Sequence, residues 1–328
     1  MRKIIPAVLL AFFFMVGIPL IFGLFFGGKE EEQEQETFPD SVQTPETVRV
    51  WISEKGSAEE IDFEEYVTCV TASEMPSDFE EEALKAQSVA ARTYAMAKIL
   101  KYDDKRPESH PEAPLCDTTH CQAYKNEEKL VKIHHDGWKD EGFKKVRRAC
   151  EATRGELLYY NGELVTQPLF FSSSGGQTEN SEDVFTGAYP YLVSVFSPHE
   201  ENASHQNEEK KFSLEEMGAK LNKSYPGRLS GELSSSSIKI ISRTEGGRVE
   251  IMQVGGSSFK GTEIRNALGL SSALFSIEFG GGGNEIIFTS DGFGHGVGLS
   301  QYGADGMAKA GSGYKEILTH YYTGTEVH

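Results

Sequence analysis

Positive charge is what this sequence is shortest of. Against 50 Asp and Glu stand 32 Lys and Arg, a formal net charge of −18 at pH 7 over 328 residues. A surface so acidic does not gather phosphate backbones, so general nucleic-acid binding is excluded. Cysteine is sparse: Cys69, Cys116, Cys121 and Cys150 are the full set. An even count permits disulfides outside the cytoplasm, but the spacing fixes no pairing. Cys69 lies inside an apolar helical pattern and reads as a small buried hydrophobe. There is no internal repeat. The apolar share, 38%, is ordinary for a packed globular chain and excludes wholesale disorder. The length allows one large domain or two ordinary ones.

Charge is missing altogether from Ile4 to about Gly28, a stretch long enough to cross a bilayer as a helix. Arg2 and Lys3 precede it and an acidic run follows, which places the N-terminus in the cytoplasm and the remainder outside. A cleaved signal peptide is the alternative, but its apolar region would be shorter and no A-x-A-like cleavage site follows. The expected organisation is a cytoplasmic stub and transmembrane anchor over 1–28, an acidic Glu/Gln-rich linker over 29–47, and an extracytoplasmic domain over 48–328.

Within that domain, "VRVWIS" (48–53) alternates like a half-buried strand. "IDFEEYVTCVTAS" (61–73) predicts a helix with Phe63, Tyr66, Val67 and Val70 on one side, broken at Met75-Pro76. Ser77 to Glu80 has the form of a capping box opening an alanine-rich helix to about Ile99. Residues 101–145 are polar and irregular. Asn161-Gly162 signals a hairpin, a capping box starts at Ser213, and strands are expected over 237–244, 248–254, 275–279 and 285–290. The predicted fold class is α+β: a helical N-terminal part packed on a mostly antiparallel β region, preceded by one transmembrane helix.

Glu74 is the carboxylate that does not fit its surroundings. It ends one helix, facing the negative end of that helix dipole, beside Met75 and ahead of Pro76. Partial burial and the dipole both favour its protonated form, as a general acid at a glycosidic oxygen requires. The alternative is a Glu that accepts backbone N–H groups at the corner. Two-carboxylate glycosidases need a second acid. Here Asp78 and Glu80 to Glu82 look like helix-start residues, which leaves a single-acid mechanism in which the sugar's own hydroxyl replaces water.

Lys85 and Arg92 are seven apart on one helix side and could reach substrate hydroxyls or carboxylates; the alternatives are a Glu81–Lys85 pair and an Arg packed on the core. "SSSGGQTEN" (172–180) offers Ser173, Ser174, Gln177 and Thr178 for sugar recognition, or is a polar turn. "GHGVGLSQYG" (294–303) lacks the Lys-Ser/Thr ending of a phosphate loop, so His295, Ser300, Gln301 and Tyr302 could instead line a saccharide groove, or form a tight packed loop. His110, Cys116, His120 and Cys121 offer two imidazoles and two thiolates for a structural zinc, although His120 and Cys121 are adjacent; a Cys116–Cys121 disulfide is the alternative. No catalytic cofactor is required. His134 and His135 are expected at the surface.

Four stretches in order, "EEYVTCVTASEMPSDFEEEALKAQSVAARTYA", "CDTTHCQAY", "FFSSSGGQTENSEDVFTGAYPYLVSV" and "GFGHGVGLSQYGADGMAKAG", resemble the stage II sporulation protein D family, a superfamily shared with amidase-enhancer proteins. The resemblance runs from about Val48 to the C-terminus. It implies a peptidoglycan lytic transglycosylase of endospore engulfment, with Glu74 as the acid of the E-M-P motif. It implies cleavage of the N-acetylmuramic acid–N-acetylglucosamine bond in peptide-stripped strands, leaving 1,6-anhydro ends. Implied partners are a cell-wall amidase and a membrane scaffold, and the implied site is the space between mother cell and forespore. A non-catalytic glycan-binding enhancer of an amidase is the rival reading.

Overall fold

The computed structural model describes residues 42–328. The expected anchor and most of the expected linker lie outside the described residues. Among the described residues no helix is long and apolar enough to cross a membrane.

Strand β1 (Thr47–Ile52) buries Val48, Val50 and Ile52 and shows the expected alternation. It pairs antiparallel with β2 (Ser57–Asp62), a strand the sequence reading left out. Asp62 closes β2 and caps the next helix, its carboxylate accepting the Glu65 N–H at 2.8 Å. That helix, α1 (Phe63–Glu74), ends at the Met75-Pro76 corner. Helix α2 (Glu81–Lys101) follows. From Ala83 to Ala97 only Lys85 escapes full burial. A helix apolar or small on every side belongs at the centre, and α2 is packed by other helices all round.

The expected capping box at Ser77 is not formed. Ser77 Oγ accepts the Trp138 indole N–H at 2.8 Å, and Glu80, the N-cap residue, makes no side-chain cap. Instead the Glu80 backbone N–H donates to Asp305 Oδ1 at 2.8 Å, from 225 residues further along the chain. A remote carboxylate thus satisfies a helix-start donor that local sequence leaves open.

Next come β3 (Leu115–Cys116), parallel to β1, then α3 (Glu127–Ile133), a π-helical turn (Lys139–Phe143) and α4 (Lys144–Ala152). β4 (Leu158–Tyr160) and β5 (Glu163–Leu164) form the expected hairpin, with positive φ at Asn161 and Gly162. β6 (Phe170–Phe171) and the short α5 (Ser181–Val184) complete this part.

A lobe with its own core is inserted here. It holds β7 (Glu208–Ser213), α6 (Leu214–Ser224), β8 (Ile238–Arg243), β9 (Val249–Val254), β10 (Ser257–Lys260), α7 (Gly261–Leu268), β11 (Phe275–Gly280) and β12 (Glu285–Ser290). Two antiparallel three-stranded sheets, ordered β8-β9-β10 and β7-β12-β11, close around Met217, Leu221, Met252, Phe259, Ile264 and Phe288. The capping box at Ser213 and Glu216 is present as expected.

The chain then returns to the first core through β13 (Leu299–Ser300), parallel to β6, then α8 (Gln301–Lys309), α9 (Tyr314–Tyr321) and β14 (Thr325–Val327), which pairs with β4. The described domain is therefore α+β, with a mainly helical core and a β-rich lobe.

Candidate active site

Glu74 is the last residue of α1, and Met75 beyond it is fully extended (φ −125°, ψ 136°). The side chain is half-buried. Its Oε1 accepts the Ala123 backbone N–H at 2.6 Å. Its Oε2 makes no hydrogen bond within the protein and is not sealed from solvent. Burial raises its pKa above the ordinary carboxylate value; the Ala123 hydrogen bond and the Lys125 charge offset only part of that. Because Oε1 faces a donor, the proton of the neutral acid belongs on Oε2, the open oxygen. Both features of the sequence reading are present at once: the corner N–H contact and a raised acid.

The segment holding that oxygen is the end of the histidine–cysteine loop. His110 Nε2 lies 3.2 Å from His120 Nδ1 and 3.5 Å from Cys121 Sγ. His120 Nδ1 is 3.8 Å from Cys116 Sγ and 3.7 Å from Cys121 Sγ. All four donor atoms fall within 4.8 Å of one another. A tetrahedron drawn with usual Zn–S and Zn–N bond lengths has edges of roughly 3.3–3.8 Å, close to the four separations just given. His110 is oriented by its other nitrogen, Nδ1, which is 2.9 Å from the Ala113 carbonyl. The thiols of Cys116 and Cys121 are not joined; all four cysteines are free. The adjacency of His120 and Cys121 does not keep both from facing one point.

From Cys121 the chain runs into the acid corner. The Gln122 amide donates to Tyr66 Oη (3.1 Å) and to the Ala91 carbonyl (3.2 Å). The Ala123 N–H holds Glu74, and the Lys125 N–H donates to Ser73 Oγ at 3.1 Å.

Several expected substrate-binding residues are spent elsewhere. Arg92 is fully buried; its Nε and Nη2 meet both oxygens of Glu64 at 2.9 and 2.8 Å, and Nη2 also reaches the Cys150 carbonyl at 3.2 Å. It is a core ion pair and offers nothing to a ligand. Lys85 pairs with Glu82 at 2.6 Å and lies 3.8 Å from Glu81. Ser173, Ser174 and Thr178 are sealed from solvent. Ser174 gives its N–H and its hydroxyl to Glu200, at 2.8 and 2.9 Å, while Thr178 Oγ1 accepts the Val195 N–H. Gln301 is 6% exposed and donates to Gln87. Gln177 is half-buried and donates to Ser194 Oγ at 2.9 Å. His295 sits between Phe171 and Phe185. Burial pushes its pKa down to about 4, so it is neutral at pH 7. Its Nδ1 accepts the Val297 N–H, and Nε2 donates to the Phe170 carbonyl.

Tyr302 remains available. Its ring meets Phe79 edge-on at 4.9 Å, and both line a groove of about 310 Å³ with Pro76, Asn202 and Lys309. Pro76, in the wall of this groove, is two residues beyond Glu74 along the chain. The sequence reading missed Ala123, whose contribution is a backbone N–H that no side chain announces. It also missed Glu200, which collects donors from Ser174, Gly175, Ser197 and Ser300 and carries no local signal within a polar stretch.

Comparison with known proteins bears on these residues. A family model described as Stage II sporulation protein matches residues 53–160, which contain Glu74 and the histidine–cysteine loop. Stage II sporulation protein D of Bacillus subtilis (strain 168) is 39% identical over 288 residues, covering 87% of this chain and 79% of that protein. The protein of the same name from Bacillus amyloliquefaciens is 37% identical over 289 residues, covering 88% and 80%. An amidase enhancer of Bacillus subtilis (strain 168) is 29% identical over 304 residues, covering 78% of this chain and 39% of its own length. Similarity at that level, over nearly the whole described domain, means that the chain belongs to the stage II sporulation protein D family.

Proposed function

We propose that this protein is a lytic transglycosylase that cuts peptide-stripped peptidoglycan strands between N-acetylmuramic acid and N-acetylglucosamine. The observation that carries the reading is Glu74: raised by burial, gripped at one oxygen, open at the other, and two residues along the chain from Pro76 in the wall of a groove. The Oε2 proton passes to the glycosidic oxygen as the bond from muramic acid C1 breaks. The 6-hydroxyl of the same sugar closes on C1 and returns its proton to the carboxylate. No water is consumed, so one carboxyl suffices as acid and then base. Asp78 is exposed, and Glu80 to Glu82 belong to the start of α2; none is needed.

His110, Cys116, His120 and Cys121 would hold zinc, which when bound supplies a fixed crosslink for their loop. In that reading the protein's own groups do the chemistry, and the loop keeps the Ala123 N–H on Glu74. The acid works from its protonated form, so activity falls as pH rises through the raised pKa of Glu74. We place the protein in sporulation, anchored through residues 1–28 with the domain outside the cytoplasm, between mother cell and forespore. Its partners there are a cell-wall amidase and a membrane scaffold.

The test compares the native protein with Glu74→Gln on peptide-free strands, with products read by mass spectrometry. The variant keeps the Ala123 contact but has no proton to give, so 1,6-anhydro ends are expected to disappear while strand binding persists. Anhydro ends formed by the variant at the native rate remove Glu74 as the acid. The match to an amidase enhancer supports a second reading, a glycan-binding activator of an amidase. On that reading the native protein forms no anhydro ends and Glu74→Gln still stimulates an amidase.

A further inference from the structure

The strap from Ser197 to Asn207 takes no part in the chemistry above, yet its backbone is unusual. Among the described residues four non-glycine residues have positive φ. Three of them, His199 (63°), His205 (65°) and Asn207 (51°), fall in this strap. Such conformations cost free energy and persist where surrounding structure over-determines them, often at ligand-shaping surfaces. Glu200 supplies that over-determination. Its buried carboxylate takes the N–H groups of Ser174 and Gly175 and the hydroxyls of Ser174, Ser197 and Ser300.

The strap walls two depressions. One is the groove beside Pro76, with Phe79, Tyr302 and Asn202. The other, about 340 Å³, is walled by Gly176, Phe196, Asn207 and Asp291. His199 lines both, so the two hollows adjoin at its ring, as a near arm at Pro76 and a far arm at Phe196. Each arm has the volume of an ordinary ligand pocket.

The chemistry of both arms suits sugars. Among the described residues, the Tyr302 hydroxyl, the Asn202 and Asn207 amides and the His199 ring make no hydrogen bond within the protein, so all are free for a ligand. Phe196 is 66% exposed, a large ring left in water at the edge of a polar hollow. An aromatic face with nearby amides is the pairing that a pyranose ring, apolar on its C–H face and polar at its rim, would fill. Neither arm offers an unpaired cation: Lys309 in the near arm is paired with Asp305 beside Asp78, and the far arm is lined by Glu201 and Asp291 with no Lys or Arg. Both arms therefore suit neutral sugars.

We propose that this groove holds one continuous glycan strand beyond the cleavage point, with Phe196 stacking on a neutral sugar in the far arm, so that the protein reads several consecutive sugars. The proposal rests on the reading of Glu74 as an acid acting on glycan. The test uses the full chain carrying Glu74→Gln, so that nothing is cut, and a ladder of peptide-free glycan oligomers from the disaccharide upward. Affinity is expected to rise with length and then level off. Adding Phe196→Ala, at a position too exposed to endanger the fold, is expected to cost roughly threefold to tenfold for oligomers long enough to reach the far arm, removing most of the gain with length. Affinity independent of length overturns the proposal, as does a Phe196→Ala loss that is absent or equal at every length. The two readings fail separately. Length-dependent binding by a native protein that forms no anhydro ends rejects the transglycosylase and keeps the groove. Cleavage with length-independent binding does the reverse.

Discussion

Two arginines are withdrawn from water in this fold, and they are housed differently. Arg92, in the helical core, meets both oxygens of Glu64 and the carbonyls of Cys150 and Glu156 at 2.8–3.3 Å. Arg248, at the edge of the β-rich lobe, reaches Glu179 through one contact of 3.3 Å and otherwise leans on the carbonyls of Gln177 and Ser174. Its Nε and the second oxygen of Glu179 are buried without partners. The first pair lies where α1, α2 and α4 converge, in the scaffold that aims Glu74. The second pins the lobe to the "SSSGG" loop. A saturated pair fixes geometry, whereas an under-satisfied one joins two parts while leaving polar groups exposed to loss. The helical core is thus built to hold an acid in place, and the lobe is attached by a weaker joint.

That contrast can be broken by substitution. The largest effect is expected from Arg92→Ala, which leaves Glu64 buried without its cation and opens a cavity: about 3–5 kcal/mol of stability lost, read from the denaturant midpoint. A loss below about 1 kcal/mol would mean that the pair is no more than a surface ion pair. Arg248→Met is expected to cost less, about 2–3 kcal/mol at neutral pH, and to depend on pH. Burial holds the Glu179 pKa above its ordinary value, and Arg248 is the main influence lowering it. Without Arg248 the carboxyl rises further. A carboxyl whose folded pKa exceeds its unfolded one contributes stability below the unfolded value, about 4.3, and loses it as pH rises through the folded value. The deficit of Arg248→Met is therefore expected to grow from acid to neutral pH; a deficit constant over that range would exclude Glu179 as its origin. Asp305→Ala should be the mildest, about 1 kcal/mol for a lost helix cap. Its cost should vanish in a chain already lacking the α2 start, and a thermal melt of the single variant measures it.

Much of the helical core was legible because its signals are local. The apolar stripe of α1, the break at Met75-Pro76 and the alanines of α2 need only a few residues of context. The sequence left His110, Cys116, His120 and Cys121 open between a zinc set and a Cys116–Cys121 disulfide; the structure leaves the thiols unjoined and gathers the four donor atoms. What escaped was set by distance along the chain. The Ser77 box failed because Trp138 takes the Ser77 hydroxyl and Asp305 takes the Glu80 N–H. Arg92 and Ser174 looked like ligand-binding groups because sequence shows donors but not the acceptors, Glu64 and Glu200, that occupy them. In the lobe, the expected strands correspond to β8, β9, β11 and β12, but β7, β10 and helix α7 were missed.

One consequence concerns order of synthesis. The cap on α2 comes from Asp305, and β4 is flanked by β14, where Leu157 and His328 exchange backbone hydrogen bonds. Contacts of such sequence separation form late. The acid corner of residues 74–80 is therefore left unfinished until residues 299–328 have emerged and docked. A chain made from its N-terminus would carry Glu74 without its final support until these residues have followed.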